Sequence, residues 1–142
     1  MKRRLLLAAL VGLALGAGGA AKSEEVVAVV SAKSAVTSLN ANQVADIFLG
    51  KTSRFPDGSQ AVPIDQVEDA PARDKFYAQF TGKSPAQVKA HWSKIIFTGR
   101  GQPPRQVSNN AEARKAIADN PNAIGYIEPG AVDGSVRVLA AR

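Results

Sequence analysis

Continuous apolar runs that suit β-strands alternate along this chain with apolar stripes that suit helices. The stretch EEVVAVVS, from Glu24 to Ser31, is rich in valine. Such a run is typical of a strand buried on both faces, as in a parallel sheet covered by helices. Three shorter segments, AVPID, AIGYIE and SVRVLAA, follow later in the chain and are also predicted to be strands.

Helical spacing marks two segments most clearly. Val44, Ile47 and Phe48 share one face of a predicted helix that begins with a capping-box pattern at Asn40. In KSPAQVKAHWSKIIFTG, Ser84 suits the N-cap, and a proline and a glutamine follow at the positions that favour a helix start. The buried stripe of this second helix is predicted to comprise Val88, Trp92, Ile95 and Ile96.

Two further helices complete the pattern. One begins near Pro71 and carries Phe76, Tyr77 and Phe80 at helical spacing, and the other covers NNAEARKAIADNP. The segment RGQPPRQVS, which joins the helix capped by Ser84 to the helix in NNAEARKAIADNP, is predicted to be an irregular link. Because helices separate the strands, the fold class is predicted to be α/β, with a small mixed sheet flanked by helices.

The first 21 residues have the pattern of a signal peptide. Three basic residues precede an apolar run from Leu5 to about Ala17, and small residues follow it. The run is shorter than the ~20 apolar residues that a membrane span needs, and no cysteine follows it to carry a lipid. We therefore expect cleavage near residue 21, export to the periplasm without a stable membrane anchor, and a mature domain of residues 22–142.

Composition narrows the possible functions. The leader holds three of the 18 basic residues, so the mature chain has 15 basic against 12 acidic residues, a net charge of +3. This modest charge on an exported protein does not indicate nucleic-acid binding. Cysteine is absent and there is one histidine, which excludes disulfides, thiol catalysis and a histidine-based metal cluster. We expect no cofactor, no metal and no enzymatic activity, because no nucleophile constellation is present.

Four segments, taken in order, resemble the periplasmic substrate-binding proteins of phosphate ABC transporters. They are VTSLNANQVADIFLGK, FPDGSQAVPID, ARDKFYAQFTGKSPAQVKAHWSKIIFTGRGQPPRQV and NPNAIGYI. The likeness extends over nearly the whole mature chain, from about Val26 to Leu139. Because a full-length binder of this family is more than twice as long, the resemblance implies a single lobe of a type II periplasmic binding protein.

The resemblance also implies where phosphate would bind and which ligands are missing. The family's second lobe carries an arginine after a strand and a Ser-Gly-Thr sequence at the start of the next helix. Alignment on Phe76 places Ala70-Pro71-Ala72 at the Ser-Gly-Thr positions and Gln66 near the arginine position. The hydroxyl ligands are therefore absent, and Pro71 has no amide donor.

Arg73 is the basic group nearest to this position. It shares a helix face with Phe76, Tyr77 and Phe80, so it is expected to be directed toward the sheet. One interpretation is contact with an oxyanion at the carboxyl ends of the strands, where α/β proteins bind ligands. The other, which we favour, is a salt bridge to one of the acids that lie close in sequence. Those acids are Asp65, Glu68 and Asp69.

The candidate ligand-binding residues are Arg73, Ser31, Asp65, Gln66 and Tyr126. Ser31 and the hydroxyls that follow it could reach the same crevice as Arg73, although such residues more often cap or turn the chain. Tyr126 could project its phenol into the crevice, but a tyrosine at the centre of a strand is usually part of the core.

Two functions remain open. The chain is interpreted as an exported solute-binding-type protein that holds phosphate or another oxyanion weakly, without chemistry. Alternatively, it is an interaction module on a binding-protein scaffold that has lost its phosphate ligands, and its partner is a second copy or another periplasmic protein.

Overall fold

The strand β4 (Ala123–Ile127) lies at the centre of a five-stranded sheet in the order β3-β2-β4-β1-β5. The computed structural model describes residues 25–141. The other strands are β1 (Val27–Ser31), β2 (Val62–Gln66), β3 (Arg105–Val107) and β5 (Val136–Ala141). β2 runs parallel to both β3 and β4, whereas β1 runs antiparallel to β4 and to β5.

Within residues 25–141, four helices flank this sheet. They are α1 (Ala41–Phe48), α2 (Pro71–Thr81), α3 (Pro85–Phe97) and α4 (Asn110–Ala118), and a single 3₁₀ turn covers Pro129–Ala131. The capping boxes at Asn40 and Ser84 are both formed, with the cap side chain accepting from the third helical amide. The predicted α/β class, with a mixed sheet between helices, is confirmed.

Alternate residues of the sheet build two separate cores. Ala28 and Val30 of β1 and Ile124 and Tyr126 of β4 pack with α1, α2 and α3 on one face. On the other face, strand residues such as Val29 and Ile64 pack against Ile117 of α4. This second core is smaller than the first, and its residues are aliphatic. This two-sided burial follows from the twofold side-chain period of a strand that lies between helices.

The α1–α3 face is aromatic. The Phe76 ring stacks on the Tyr126 ring with 4.1 Å between centroids, and Phe48 meets both rings edge to face. On the α4 face, Gly125 allows close approach, because a Cβ atom there would overlap Ile117 Cδ1. Gly125 is therefore a position of close packing between β4 and α4.

The structure corrects three details of the sequence analysis. Residues 105–107, predicted to be part of an irregular link, form the edge strand β3. β1 is buried on both faces, as expected, because helices cover both sides of the sheet. Its neighbouring strands, however, run antiparallel to it rather than parallel. Ile96 is exposed rather than buried, since α3 contacts the core through Val88 and Trp92.

The predicted leader, residues 1–21, lies outside the described residues. Among residues 25–141, no helix combines the length and the apolar character that crossing a bilayer requires.

Candidate functional site at the start of helix α2

The carboxylate of Asp65 is the centre of a buried polar cluster where β2 ends and α2 approaches. Asp65 and Gln66 are the last two residues of β2, and each is 1% exposed. The chain then turns through Glu68 and Asp69 and begins α2 at Pro71. This is the carboxyl end of β2, the type of edge at which α/β sheets bind ligands.

Each oxygen of the Asp65 carboxylate accepts two hydrogen bonds. Oδ1 accepts from the Tyr126 hydroxyl and, at 2.8 Å, from the Gln66 backbone amide. Oδ2 accepts from the Tyr77 hydroxyl at 2.6 Å and from Arg73 Nη1 at 3.4 Å. A buried carboxylate is tolerated when charge and hydrogen bonds offset its desolvation, and four donors meet that condition here.

Burial, followed by the charge of Asp65, raises the pKa of both Tyr77 and Tyr126 above the ordinary tyrosine value of 10.0. A phenolate beside this carboxylate would place two negative charges together in a poorly solvated site. Both tyrosines therefore remain protonated and donate hydrogen bonds to Asp65.

Arg73 forms the salt bridge that we favoured from the sequence, with Asp65 as its partner. Its Nη1 also donates to the Gln66 carbonyl at 2.9 Å, and its guanidinium lies 5.3 Å from the centre of the Tyr77 ring. In the first turn of α2, Pro71 has no amide hydrogen and the Arg73 amide donates to the Ala70 carbonyl, so neither position offers an amide to an anion.

Gln66 connects the cluster to the surface. Its Nε2 donates to the Tyr126 carbonyl at 3.0 Å and to Asn110 Oδ1 at 3.2 Å. Asn110 in turn donates to Glu128, which pairs with Lys75 at 2.9 Å. The hydrogen bonds from Lys75 and Asn110 lower the pKa of Glu128, so this outer carboxylate stays ionised. The side chain of Gln66 is thus engaged in packing strands and helices together.

Four of the five candidate residues lie together, and Ser31 does not. Because β1 runs antiparallel to β4, which is itself parallel to β2, the carboxyl end of β1 lies at the opposite edge of the sheet from Asp65. There the Ser31 hydroxyl donates to the Ala118 carbonyl at the end of α4 and accepts from the Lys33 amide. The expectation that Ser31 reaches the crevice beside Arg73 is therefore wrong.

Sequence reasoning missed three members of the network. Tyr77 was expected only as a core residue, and neither Asn110 nor Glu128 was considered. One sequence signal did indicate Tyr77: a tyrosine on the buried face of a helix usually needs a hydrogen-bond partner for its hydroxyl.

A cavity of about 200 Å³ lies just outside the cluster. Arg73 and Lys89 contribute positive charge to its walls, and Glu68 and Asp74 contribute negative charge. Within the described residues, no group of three or more histidine, cysteine, aspartate or glutamate side chains is arranged to hold a metal ion.

Solved structures with the same fold come from phosphate transport. A protein described as a phosphate ABC transporter substrate-binding protein from Clostridium perfringens, solved with bound phosphate, superposes with a TM-score of 0.64 at 19% identity, over 81% of this chain and 44% of that one. The fold is that of one lobe of a type II periplasmic binding protein.

Two more structures of this kind agree. An ABC-type phosphate transport receptor from Vibrio cholerae gives a TM-score of 0.53 at 18% identity, over 81% of this chain and 45% of its own. PstS from Borrelia burgdorferi gives 0.53 at 14%, over 82% of this chain and 46% of its own. The present lobe thus spans less than half of each of these three proteins. No protein-family model and no curated protein matches the sequence.

Proposed function

We propose that this binding-protein lobe is an exported, non-catalytic interaction module that recognises another protein rather than free phosphate. The observation that carries the proposal is the saturated Asp65 carboxylate. It already occupies Arg73, which is the basic group nearest to the expected phosphate position. The lobe therefore contains a negative group of its own where the resemblance places an external anion.

Competition with Asp65 is the physical obstacle to phosphate. An arriving phosphate would have to displace Asp65 from Arg73 or share the guanidinium with it, and it would face the Glu68 and Asp74 carboxylates beside the same cavity. Repulsion between like charges in a partly buried site opposes both arrangements. No hydroxyl is available at Ala70, Pro71 or Ala72 to offset that cost.

Export is part of the same proposal. The basic start and apolar run of residues 1–21 support secretion. The described residues match less than half of each solved neighbour, and in this proposal the surface of the lobe faces a partner protein.

Weak oxyanion binding is the second candidate. It is favoured by one observation, the presence of Arg73 and Lys89 on the same cavity of about 200 Å³. Arg73 uses only Nη1 in its hydrogen bonds within the described residues, which leaves the outer part of its guanidinium for a ligand.

Calorimetry with phosphate and sulfate separates the two candidates. We expect protein purified after expression of the full chain to give no saturable heat and no thermal shift at millimolar phosphate. A saturable heat that disappears in both Arg73→Gln and Lys89→Gln would overturn the interaction-module proposal in favour of oxyanion binding. The variant Lys115→Gln serves as a control for the loss of one positive charge, because Lys115 is exposed on α4, on the other face of the sheet.

A further inference from the structure

The outward end of α3 exposes apolar side chains in a strongly basic setting. Phe97 is 92% exposed and Ile96 is 52% exposed, whereas most other large apolar residues of the lobe are buried. Lys89, Lys94 and Arg100 lie along the same helix and the loop that follows it. We refer to these five residues as the α3 surface. Exposed aromatic side chains and arginine are enriched at protein-binding sites relative to the rest of a protein surface.

Charge is segregated into this part of the chain. Residues 83–105 contain five basic residues and no aspartate or glutamate. Residues 25–141 hold 13 basic and 11 acidic residues, so the described chain outside 83–105 has eight basic against eleven acidic. The basic residues of 83–105 are Lys83, Lys89, Lys94, Arg100 and Arg105. None of these side chains forms an ion pair within the described residues. The α3 surface therefore lies in a basic part of the chain whose side chains form no ion pair, although Lys89 shares a cavity with the Glu68 and Asp74 carboxylates.

A groove of about 280 Å³ runs beside the exposed end of α3. Trp92 and Ile95 form its α3 wall, Ile47 and Gly50 lie on the α1 side, and Arg100 and Pro104 belong to the loop after α3. The close approach of the indole to Gly50 fixes this wall, since a Cβ at Gly50 would lie 2.7 Å from Trp92 Cη2.

Trp92, which lines the groove, also has a buried polar atom without a partner. Trp92 is 7% exposed, and its indole Nε1 is the one buried side-chain nitrogen or oxygen without a hydrogen-bond partner among the described residues. A buried donor without an acceptor is unusual in a folded protein.

We propose that the α3 surface and the adjacent groove bind an acidic segment of a partner protein. Apolar side chains of that segment would fill the groove against Trp92 and contact Phe97, and its carboxylates would face Lys94 and Arg100. The inference rests on the proposed function as an interaction module and names the surface and the chemistry of the partner. Complementary charge would give the contact its specificity and its rate of association.

Two other occupants fit less well. A second copy would bring the Lys89 and Lys94 side chains that border the outward face of α3 against the same lysines of its partner, and like charges oppose that pairing. A membrane surface would match the charge but not the shape, because a bilayer does not fill a groove. The outward positions Ala86, Ala90 and Ser93 are also too small or polar for a helix that lies in the interface.

Selection from a displayed library of random twelve-residue peptides tests the proposal. The probe is the library itself, panned on the immobilised full-chain protein. We expect enrichment of peptides that combine Asp or Glu with large apolar residues. Trp92 is the only tryptophan in the chain, so synthetic copies of enriched peptides should change its fluorescence saturably and with strong dependence on salt.

A charge-reversal pair provides the decisive control. Lys94→Glu with Arg100→Glu should weaken binding of the enriched peptides about tenfold or more, and peptides with Lys in place of Asp or Glu should recover affinity for this double variant. Lys33→Glu with Lys115→Glu changes the net charge equally at exposed sites away from α3 and should leave binding unchanged.

The remaining outcomes overturn the proposal in distinguishable ways. If enriched peptides bind the Lys94→Glu, Arg100→Glu variant as well as wild type, the α3 surface is not the binding site, although the proposal of an interaction module stands. A library that enriches no acidic peptides would also overturn the proposed α3 binding site. Binding to phosphatidylglycerol vesicles without peptide binding would identify a membrane site instead. A dimer in sedimentation that depends on Phe97 would identify self-association. A saturable phosphate heat that disappears in both Arg73→Gln and Lys89→Gln would remove the proposed function itself.

Discussion

The Asp65 cluster and the α3 surface differ in how completely their polar groups are satisfied. Around Asp65, four donors meet one carboxylate, and Gln66 extends the network through Asn110 to Glu128. On the α3 surface, a basic helix ends in an exposed phenylalanine, and the neighbouring Trp92 Nε1 has no acceptor.

The resemblance leads us to expect a ligand at the start of α2, whereas the unpaired charges and exposed apolar side chains favour the α3 surface. The resemblance to phosphate-binding proteins directs attention to the start of α2, but there the chain provides its own anion and its own donors. Interactions inside the Asp65 cluster hold the sheet to α2, whereas the proposed binding residues of the α3 surface form no ion pair within the described residues. The comparison predicts that substitutions in the two regions have opposite consequences.

Removal of the Asp65 carboxylate should have the largest effect on stability. Asp65→Ala leaves the Arg73 charge and two buried hydroxyls without their acceptor, and breaking a buried charged network typically costs about 3–5 kcal/mol. Urea denaturation followed by circular dichroism measures the change. Asp69→Ala is the matched control, because Asp69 is an exposed acid in the adjacent turn, and it should change stability by less than about 0.5 kcal/mol.

An effect of Asp65→Ala below about 1 kcal/mol would contradict the assignment of Asp65 as the centre of the cluster. Formate offers a sharper readout, since it can replace the missing carboxylate. It should raise the melting temperature of Asp65→Ala more than that of wild type.

Alkaline titration of the tyrosines should show the next largest effect. The chain has two tyrosines, and both belong to the Asp65 cluster. Each has a pKa raised above 10.0 in the folded state, so above pH 10 the unfolded chain loses phenolic protons that the folded chain retains. Stability is therefore full below pH 10 and falls as the pH rises beyond it, by about 1.4 kcal/mol per pH unit for each tyrosine.

Tyrosinate absorbance near 295 nm is the direct measurement. The folded protein should show none until it unfolds, and phenolate absorbance should then appear together with the loss of circular dichroism. Tyr126→Phe should reduce the alkaline loss of stability, since one of the two titrating phenols is gone. Phenolate absorbance in the folded protein near pH 10 would show that the hydroxyls are not held by Asp65.

Local sequence signals predicted most of the helices and strands but few of the hydrogen bonds in the Asp65 cluster. The capping residues Asn40 and Ser84 and the Phe76 stripe depend on neighbours within one helix, so they could be found without the structure. By contrast, the hydroxyl of Tyr126 meets a carboxylate 61 positions away. Nothing local to either residue specifies that contact, which depends on the pairing of β2 with β4.

Strand direction explains the misplacement of Ser31. Its strand is buried on both faces whether it runs parallel or antiparallel, so the valine run carries no information about which edge of the sheet receives its carboxyl end. The edge strand β3 was missed for a related reason. Its three residues include Arg105 and Gln106, both exposed, and they form a strand because β2 offers a free edge rather than because of their own propensity.

Substitution of Phe97 should have the smallest effect on stability and so gives the most direct contrast with Asp65. A side chain that is 92% exposed contributes little to the core, so Phe97→Ser should change the free energy of unfolding by no more than about 0.5 kcal/mol in urea denaturation. Trp92→Leu is the contrasting variant on the same helix, since it removes a buried ring and should cost about 1–3 kcal/mol. If Phe97→Ser destabilised the lobe as much as Trp92→Leu, Phe97 would be part of the packing that holds α3 in place. The α3 surface would then have an internal role, and an exposed aromatic side chain could no longer be used to argue for a partner.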